Sequence, residues 1–276
     1  MDSDPGFEAL LDFLRESRGF DFGGYKRSSL TRRVERRMAQ VRCTGFEDYL
    51  DFLQVHPEEY TALFNTILIN VTGFLRDSDA WTHLGSDLLP ELVAARNPHE
   101  QIRVWSAGCA SGQEAYSVAM LFAEHLGVEQ TRERVKICAT DVDEEALAEA
   151  SAAIFAERDV GPVPGPLRER YFEVQGQRYV FHRDLRRSVV FGRNDLVRDA
   201  PISRVDLLVC RNTLMYFTAE TQARILGRFN LALAEGGLLF LGRSELLLNH
   251  GQLFEPIDPR RRFFRKIPRE GNAGQK

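Results

Sequence analysis

The sequence predicts an α/β protein, a doubly wound sheet with a small β insertion, preceded by an all-α N-terminal domain. Three observations lead there. Up to residue 69 the apolar residues follow helical periodicity alone. From Gln101 onward short apolar strands alternate with helices, the pattern of a sheet covered on both faces. The first of these strands runs into a loop of small residues, RVWSAGCASGQEAYSVAM (103–120), and an amphipathic helix begins at once.

In the N-terminal domain (1–69), PGFEALLDFLRESRGF sets Phe7, Leu10, Leu11 and Leu14 at helical spacing and stops near Gly19. SSLTRRVERRMAQV forms a second helix with Ser28 or Ser29 as its N-cap. GFEDYLDFLQ and PEEYTALFNTILI complete a small bundle, the last opening on Pro57, Glu58 and Glu59, residues suited to a helix start. NVTGFLRD breaks the pattern. Residues 70–76 read as a linker that contributes to a cleft, and a helix from Asp77 to Arg96 enters the second domain, 77–276.

There, strands in IRVWSAG, VKICATD, SVVFGRNDL, VDLLVCRN and LLFLGRS alternate with helices, and RRFFRK adds an antiparallel edge. Residues 155–187 interrupt the alternation. Their prolines and the strand-like pieces EVQGQ and RYVFH, turning near Gly176, make a β insertion, either a substrate-docking surface or an inert structural excursion.

Composition narrows the function. The 276 residues carry a net charge of −4, so no nucleic-acid partner is expected from overall charge. No apolar run is long enough to span a membrane, and MDSDPGFEAL lacks the regions of a signal peptide, which predicts a cytoplasmic protein. Cys43, Cys109, Cys138 and Cys210 are scattered and read as free thiols; the histidines show no HExxH, and no metal site is expected. Nothing demands more than a monomer.

The chemistry gathers at strand ends. Gly108 and Gly112 bracket Cys109, Ala110 and Ser111, allowing a ligand close to the backbone. Glu114, in the first turn of the next helix, would repel a pyrophosphate and attract a cation; as a plain first-turn carboxylate it would only stabilise the helix. Asp141 ends the second strand, where an acidic residue accepts from ribose hydroxyls, and Asp143 suits the N-cap of the following helix. Asp195 can accept from an exocyclic amine with Leu196 packing beside it. Asn212 and Tyr216 follow the fourth strand and are expected in the same crevice, with Asn70, Thr72 and Arg76 lining it from the linker. Arg76 can grip a carboxylate bidentately. Arg32, Arg33, Arg36 and Arg37 pair on adjacent helical turns, as a solvated face or as a docking site for an acidic partner.

These segments, in this order, resemble the CheR-type chemotaxis-receptor glutamate O-methyltransferases over residues 7–267. The carriers are NVTGFLRD, the loop at 103–120, ATDVDEEAL, FGRNDL, CRNTLMYF and GGLLFLGRSE. The resemblance implies a Rossmann-like class I fold and S-adenosylmethionine as cofactor, with S-adenosylhomocysteine as product. Asn70, Thr72, Arg76, Gly108, Glu114, Asp141, Asp195, Leu196, Asn212 and Thr213 would hold the cofactor, with Arg76 and Tyr216 as catalytic residues. The helical domain would meet the helical cytoplasmic domain of chemoreceptors through its basic helix. The hairpin around VQGQRY is shorter than in members that bind a receptor's C-terminal pentapeptide, which predicts a pentapeptide-independent enzyme. Leu75, Gln113, Asp195 and Arg243 depart from residues common in the family, and Asp195 alters the adenine contacts.

A glutamate acceptor is already ionised near pH 7, so the implied reaction needs positioning and dehydration, not a base. An NAD-dependent oxidoreductase shares the fold grammar but would need GxGxxG, which the loop lacks. A methyltransferase of another protein carboxylate, or a non-catalytic cofactor-binding module, is the remaining alternative.

Overall fold

A computed structural model of the chain describes residues 4–68, 70–245 and 252–268. The outer ends of the two expected domains, at 1–3 and 269–276, and residue 69 at the first boundary lie outside the described residues. The chain divides into two compact units: Met1–Asn70 with Met215–Gln222, and Val71–Leu214 with Ala223–Lys276. The return of 215–222 to the first unit was not foreseen.

The first unit is built on α1 (Pro5–Arg18), α2 (Arg27–Val41), α3 (Phe46–Val55) and α4 (Pro57–Ile67). Asp4 caps α1 by accepting from Gly6 N–H and Phe7 N–H, and Phe7, Leu10, Leu14, Val34 and Leu63 are buried together with Tyr49. Helix α2 begins before the serines expected to cap it, with Lys26 at the cap position and no side-chain cap. The reason lies in residues 215–218. Lys26 N–H donates to Tyr216 O at 2.9 Å, its ammonium to Met215 O at 2.8 Å, and Thr218 N–H to Gly24 O at 2.9 Å. These bonds set where the extended chain turns into helix.

The expected four-arginine face of α2 is corrected. Leu30, Arg33, Val34 and Met38 share its buried stripe, because 3.6 residues per turn puts 33 and 37 beside the apolar positions. Arg33 is 7% exposed, donates to Ile67 O, and its guanidinium lies 4.6 Å from the centre of the Tyr216 ring. Arg37 donates to both oxygens of the buried Glu59, which also accepts from Tyr49 OH at 2.7 Å. Arg32 and Arg36 remain exposed.

The second unit holds β1 (Ile102–Ala107), β2 (Val135–Asp141), β3 (Ile154–Ala156), β4 (Phe172–Gln175), β5 (Arg178–Phe181), β6 (Val189–Arg193), β7 (Val205–Cys210), β8 (Leu233–Leu241), β9 (Phe254–Asp258) and β10 (Phe263–Lys266). Seven form one sheet in the order β6-β2-β1-β7-β8-β10-β9, parallel except for β10. Strand β1 pairs with both β2 and β7, so the order reverses there and a crevice opens at the carboxyl ends of β1 and β7. Val104, Ile137, Leu207 and Val209 are wholly or nearly buried between the covering helices. The expected edge at RRFFRK is corrected: β10 is antiparallel as read, but β9 lies outside it. Asp258 accepts from Arg260 N–H and Arg261 N–H, closing the turn between them, and Pro256 suits an edge strand.

The helix expected from Asp77 runs as Ser78–His83 and Leu89–Ala94, joined by a widened turn at Leu84–Leu88. Leu89 N–H reaches back to Leu84 O, and the wider turn accommodates Pro90, which has no N–H. The remaining strands form a separate antiparallel sheet, β3-β5-β4, whose hairpin turns through residues 176–177. Phe155, Phe172 and Phe181 from this sheet pack against Tyr116 and Phe74, anchoring it to the helix Gln113–Leu126.

Candidate active site

The crevice is built in the second unit from the ends of β1, β2, β6 and β7. After β1, Gly108 has φ 78°, and a Cβ there would meet Thr213 Oγ1 at 2.4 Å. Only glycine fits between the loop and the chain that follows β7. Ala110, itself at φ 46°, donates its N–H to Asp141 Oδ2 at 2.8 Å, tying the loop to the end of β2. Asp141 Oδ1 accepts from Val142 N–H at 2.7 Å and Asp143 N–H at 3.1 Å. Burial nevertheless pushes the Asp141 carboxyl up. Asp143 Oδ1 accepts from Glu145 N–H and Ala146 N–H, the N-cap role read from sequence.

Glu114 is 7% exposed and accepts from Ser106 Oγ at 2.8 Å. Desolvation pushes its carboxyl up to about 7, against the pull of the Arg211 charge and the Ser106 hydrogen bond. A carboxylate this buried, bonded to the Ser106 hydroxyl, gains from a ligand that brings positive charge. Asn194 N–H donates to Asp141 O at 3.0 Å, so the end of β6 joins the end of β2 and Asp195 follows directly. Asp195 Oδ1 accepts from Val197 N–H at 2.8 Å, and Leu196 is 8% exposed beside it.

After β7, Asn212 sits at φ 60°, a conformation asparagine tolerates, and Thr213 lies on Gly108. Thr72 is half-buried and Arg76 exposed, its guanidinium donating to Val71 O at 3.2 Å. The backbone carrying Arg76 is pinned by Trp81 Nε1 donating to Arg76 O at 2.8 Å and by Leu75 N–H donating to Ser117 Oγ at 3.1 Å. The structure therefore connects Gly108, Glu114, Asp141, Asp195, Asn212 and Thr213 around one crevice. Asn70 and Tyr216 belong to the first unit, and both are half-buried.

Sequence reasoning missed Ser106, Asp77, Arg211 and Glu245. All four stood inside motifs singled out in the sequence, and their burial and partners were the signal lacking. Among the described residues no group of His, Cys, Asp and Glu could hold a metal ion.

The donor set suits S-adenosylmethionine. Its close-approach glycine and buried carboxylate match an amino-acid ligand with a sulfonium charge and no phosphate, and the acidic end of β2 matches a ribose. Strand order and donor set define the class, an S-adenosylmethionine-dependent methyltransferase. Residues 70–263 match the CheR methyltransferase SAM binding domain and residues 5–68 the CheR methyltransferase all-alpha domain. The chain belongs to the CheR methyltransferase family.

A chemotaxis protein methyltransferase of Listeria monocytogenes is 31% identical over 86% of this chain and 88% of its own length. Chemotaxis protein methyltransferase 2 of Vibrio cholerae is 30% identical over 99% of this chain and 96% of its own. An uncharacterized 104.1 kDa protein of Rhodobacter capsulatus is 37% identical over 94% of this chain, which spans 27% of that protein.

Proposed function

We propose that this chain transfers a methyl group from S-adenosylmethionine to glutamate side chains in the helical cytoplasmic domain of chemoreceptors, giving methyl esters and S-adenosylhomocysteine. The observation that carries the reading is the two-part family match, supported by full-length relatives named for chemotaxis. When bound, the cofactor supplies an electrophilic methyl group on a positively charged sulfur.

The chain's residues do the rest by placement. Glu114 supplies the buried negative charge toward the cationic amino-acid portion, and Asp141 accepts from the ribose. Asp195 and Leu196 receive the adenine, with Thr72, Gly108, Asn212 and Thr213 completing the pocket. Arg76 orients a carboxylate, that of the cofactor or that of the acceptor. Tyr216 is a positioning residue near the departing methyl group. No base is required, because the acceptor is ionised near pH 7. Arg32 and Arg36, exposed on α2, face the acidic acceptor helices. The two-residue turn of the β4–β5 hairpin supports recognition without a receptor pentapeptide.

The test is transfer of labelled methyl from S-adenosylmethionine to a receptor cytoplasmic fragment, scored as alkali-labile label that releases methanol. Alkali-labile label lost when the acceptor glutamates become alanine is the expected result. Alkali-stable label would point to a different acceptor atom, and no label with a cofactor-binding protein to a non-catalytic module.

A further inference from the structure

Glu245 follows β8, and it is 3% exposed. Its Oε1 accepts from Thr213 N–H and Leu214 N–H, each at 2.7 Å, and its Oε2 from Gly242 N–H at 2.6 Å. The donors belong to two loops that run side by side because β7 and β8 are parallel, with Cys210 opposite Leu241. Burial pushes the carboxyl up, and the backbone N–H groups pull it back.

The loop it holds is under local constraint. Asn212 is left-handed, Thr213 presses its hydroxyl on Gly108, and a Cβ on Gly242 would meet Asn212 N at 2.7 Å. Small displacements of these residues would close or open the crevice floor, and the Glu245 side chain spans both loops.

We propose that Glu245 is a positioning residue of the cofactor site, its carboxylate cradle fixing Asn212 and Thr213 against Gly108 without touching cofactor or acceptor. The inference rests on placing Asn212, Thr213 and Gly108 in the cofactor pocket. A glutamine cannot replace this carboxylate, because its amide nitrogen would face an N–H donor where Oε2 accepts.

The test is calorimetric titration of the full chain with S-adenosylhomocysteine, comparing wild type, Glu245→Gln and Asp206→Asn. Asp206 is the matched control: it is 5% exposed, accepts from Arg103 N–H at 2.8 Å and from Arg96, and sits at the opposite end of β7. The expected result is affinity about tenfold weaker in Glu245→Gln and within about twofold of wild type in Asp206→Asn, with melting lowered in both. Equal affinity in Glu245→Gln and wild type would overturn the inference alone, and so would an equal loss in Asp206→Asn. A folded wild type that fails to bind would overturn the pocket assignment and the inference with it. Amide exchange on ligand-free wild type gives a reading that needs no variant. Thr213, Leu214 and Gly242 should be strongly protected, and exchange at open-loop rates would overturn the cradle.

Discussion

Arg211 Nη2 lies 2.6 Å from Asp77 Oδ2, and this pair ties the end of β7 to the segment that carries Arg76. The guanidinium is also flanked by the Phe240 ring at 4.7 Å and the Trp81 ring at 5.4 Å. Leu75 and Asp77 have φ of 50° and 64°, so the segment adopts two left-handed non-glycine conformations in three residues. Such geometry persists only where the surroundings over-determine it.

Removing Asp77 leaves a cation 97% buried without its partner. Asp77→Ala is expected to lose about 3 kcal/mol of stability, and Asp77→Asn, which keeps an acceptor, distinctly less. Urea denaturation reads both; a loss below about 1 kcal/mol in Asp77→Ala would show the pair to be incidental.

Glu114 predicts a pH dependence of known sign. Its folded carboxyl is raised from 4.5 to about 7 by burial, so the folded chain holds that proton more tightly than the unfolded one. The corresponding stability is fully present below pH 4.5 and is lost as pH rises through 7, roughly 3 kcal/mol in all. Glu114→Gln should flatten that slope in denaturation series across the same range. A cationic ligand favours the ionised form, so S-adenosylmethionine affinity in wild type should rise with pH up to about 7 and stay level beyond. Identical pH profiles in the variant would refute the assignment.

Gly108→Ala should abolish cofactor binding while the sheet stays folded. The added methyl must displace Thr213, whose Oγ1 it would meet at 2.4 Å, and alanine is strained at φ 78°. Undiminished binding by calorimetry would remove this loop from the pocket.

The arginines of α2 should separate into two kinds. Arg32→Ala with Arg36→Ala is expected to raise the KM for a receptor fragment about tenfold and leave S-adenosylhomocysteine affinity unchanged. Arg33→Ala should lower the melting temperature, since it strips a buried cation from Ile67 O and the Tyr216 ring. If Arg32 and Arg36 prove silent and receptor binding follows Arg33 alone, the docking face is misplaced.

Much of this was legible because the pattern was local. Buried strands such as VDLLVC declare themselves by composition, and Asp143 caps the helix where its spacing said it would. What escaped was non-local. Nothing in RRVERR separates an arginine aimed at Ile67 O from one aimed at water, because the stripe depends on the helix's rotation in its bundle. Glu245 reads as a loop carboxylate until β7 and β8 are laid side by side. Strand β9 carries a proline and two carboxylates in five residues, so only its pairing with β10 reveals it.

Residues 215–222 have a consequence for how this protein can change over time. The chain leaves the helical unit at Asn70 and returns to it at Met215, where the Phe217 ring packs tilted against Tyr25 at 4.6 Å and Gly24 packs on Thr221. The helical unit is therefore not a cassette. Recombination that exchanged only the first seventy residues between relatives would set a foreign surface against Phe217 and Thr221. If α2 docks the receptor as proposed, new preferences should arise by substitution at exposed positions such as Arg32 and Arg36, and not by domain shuffling.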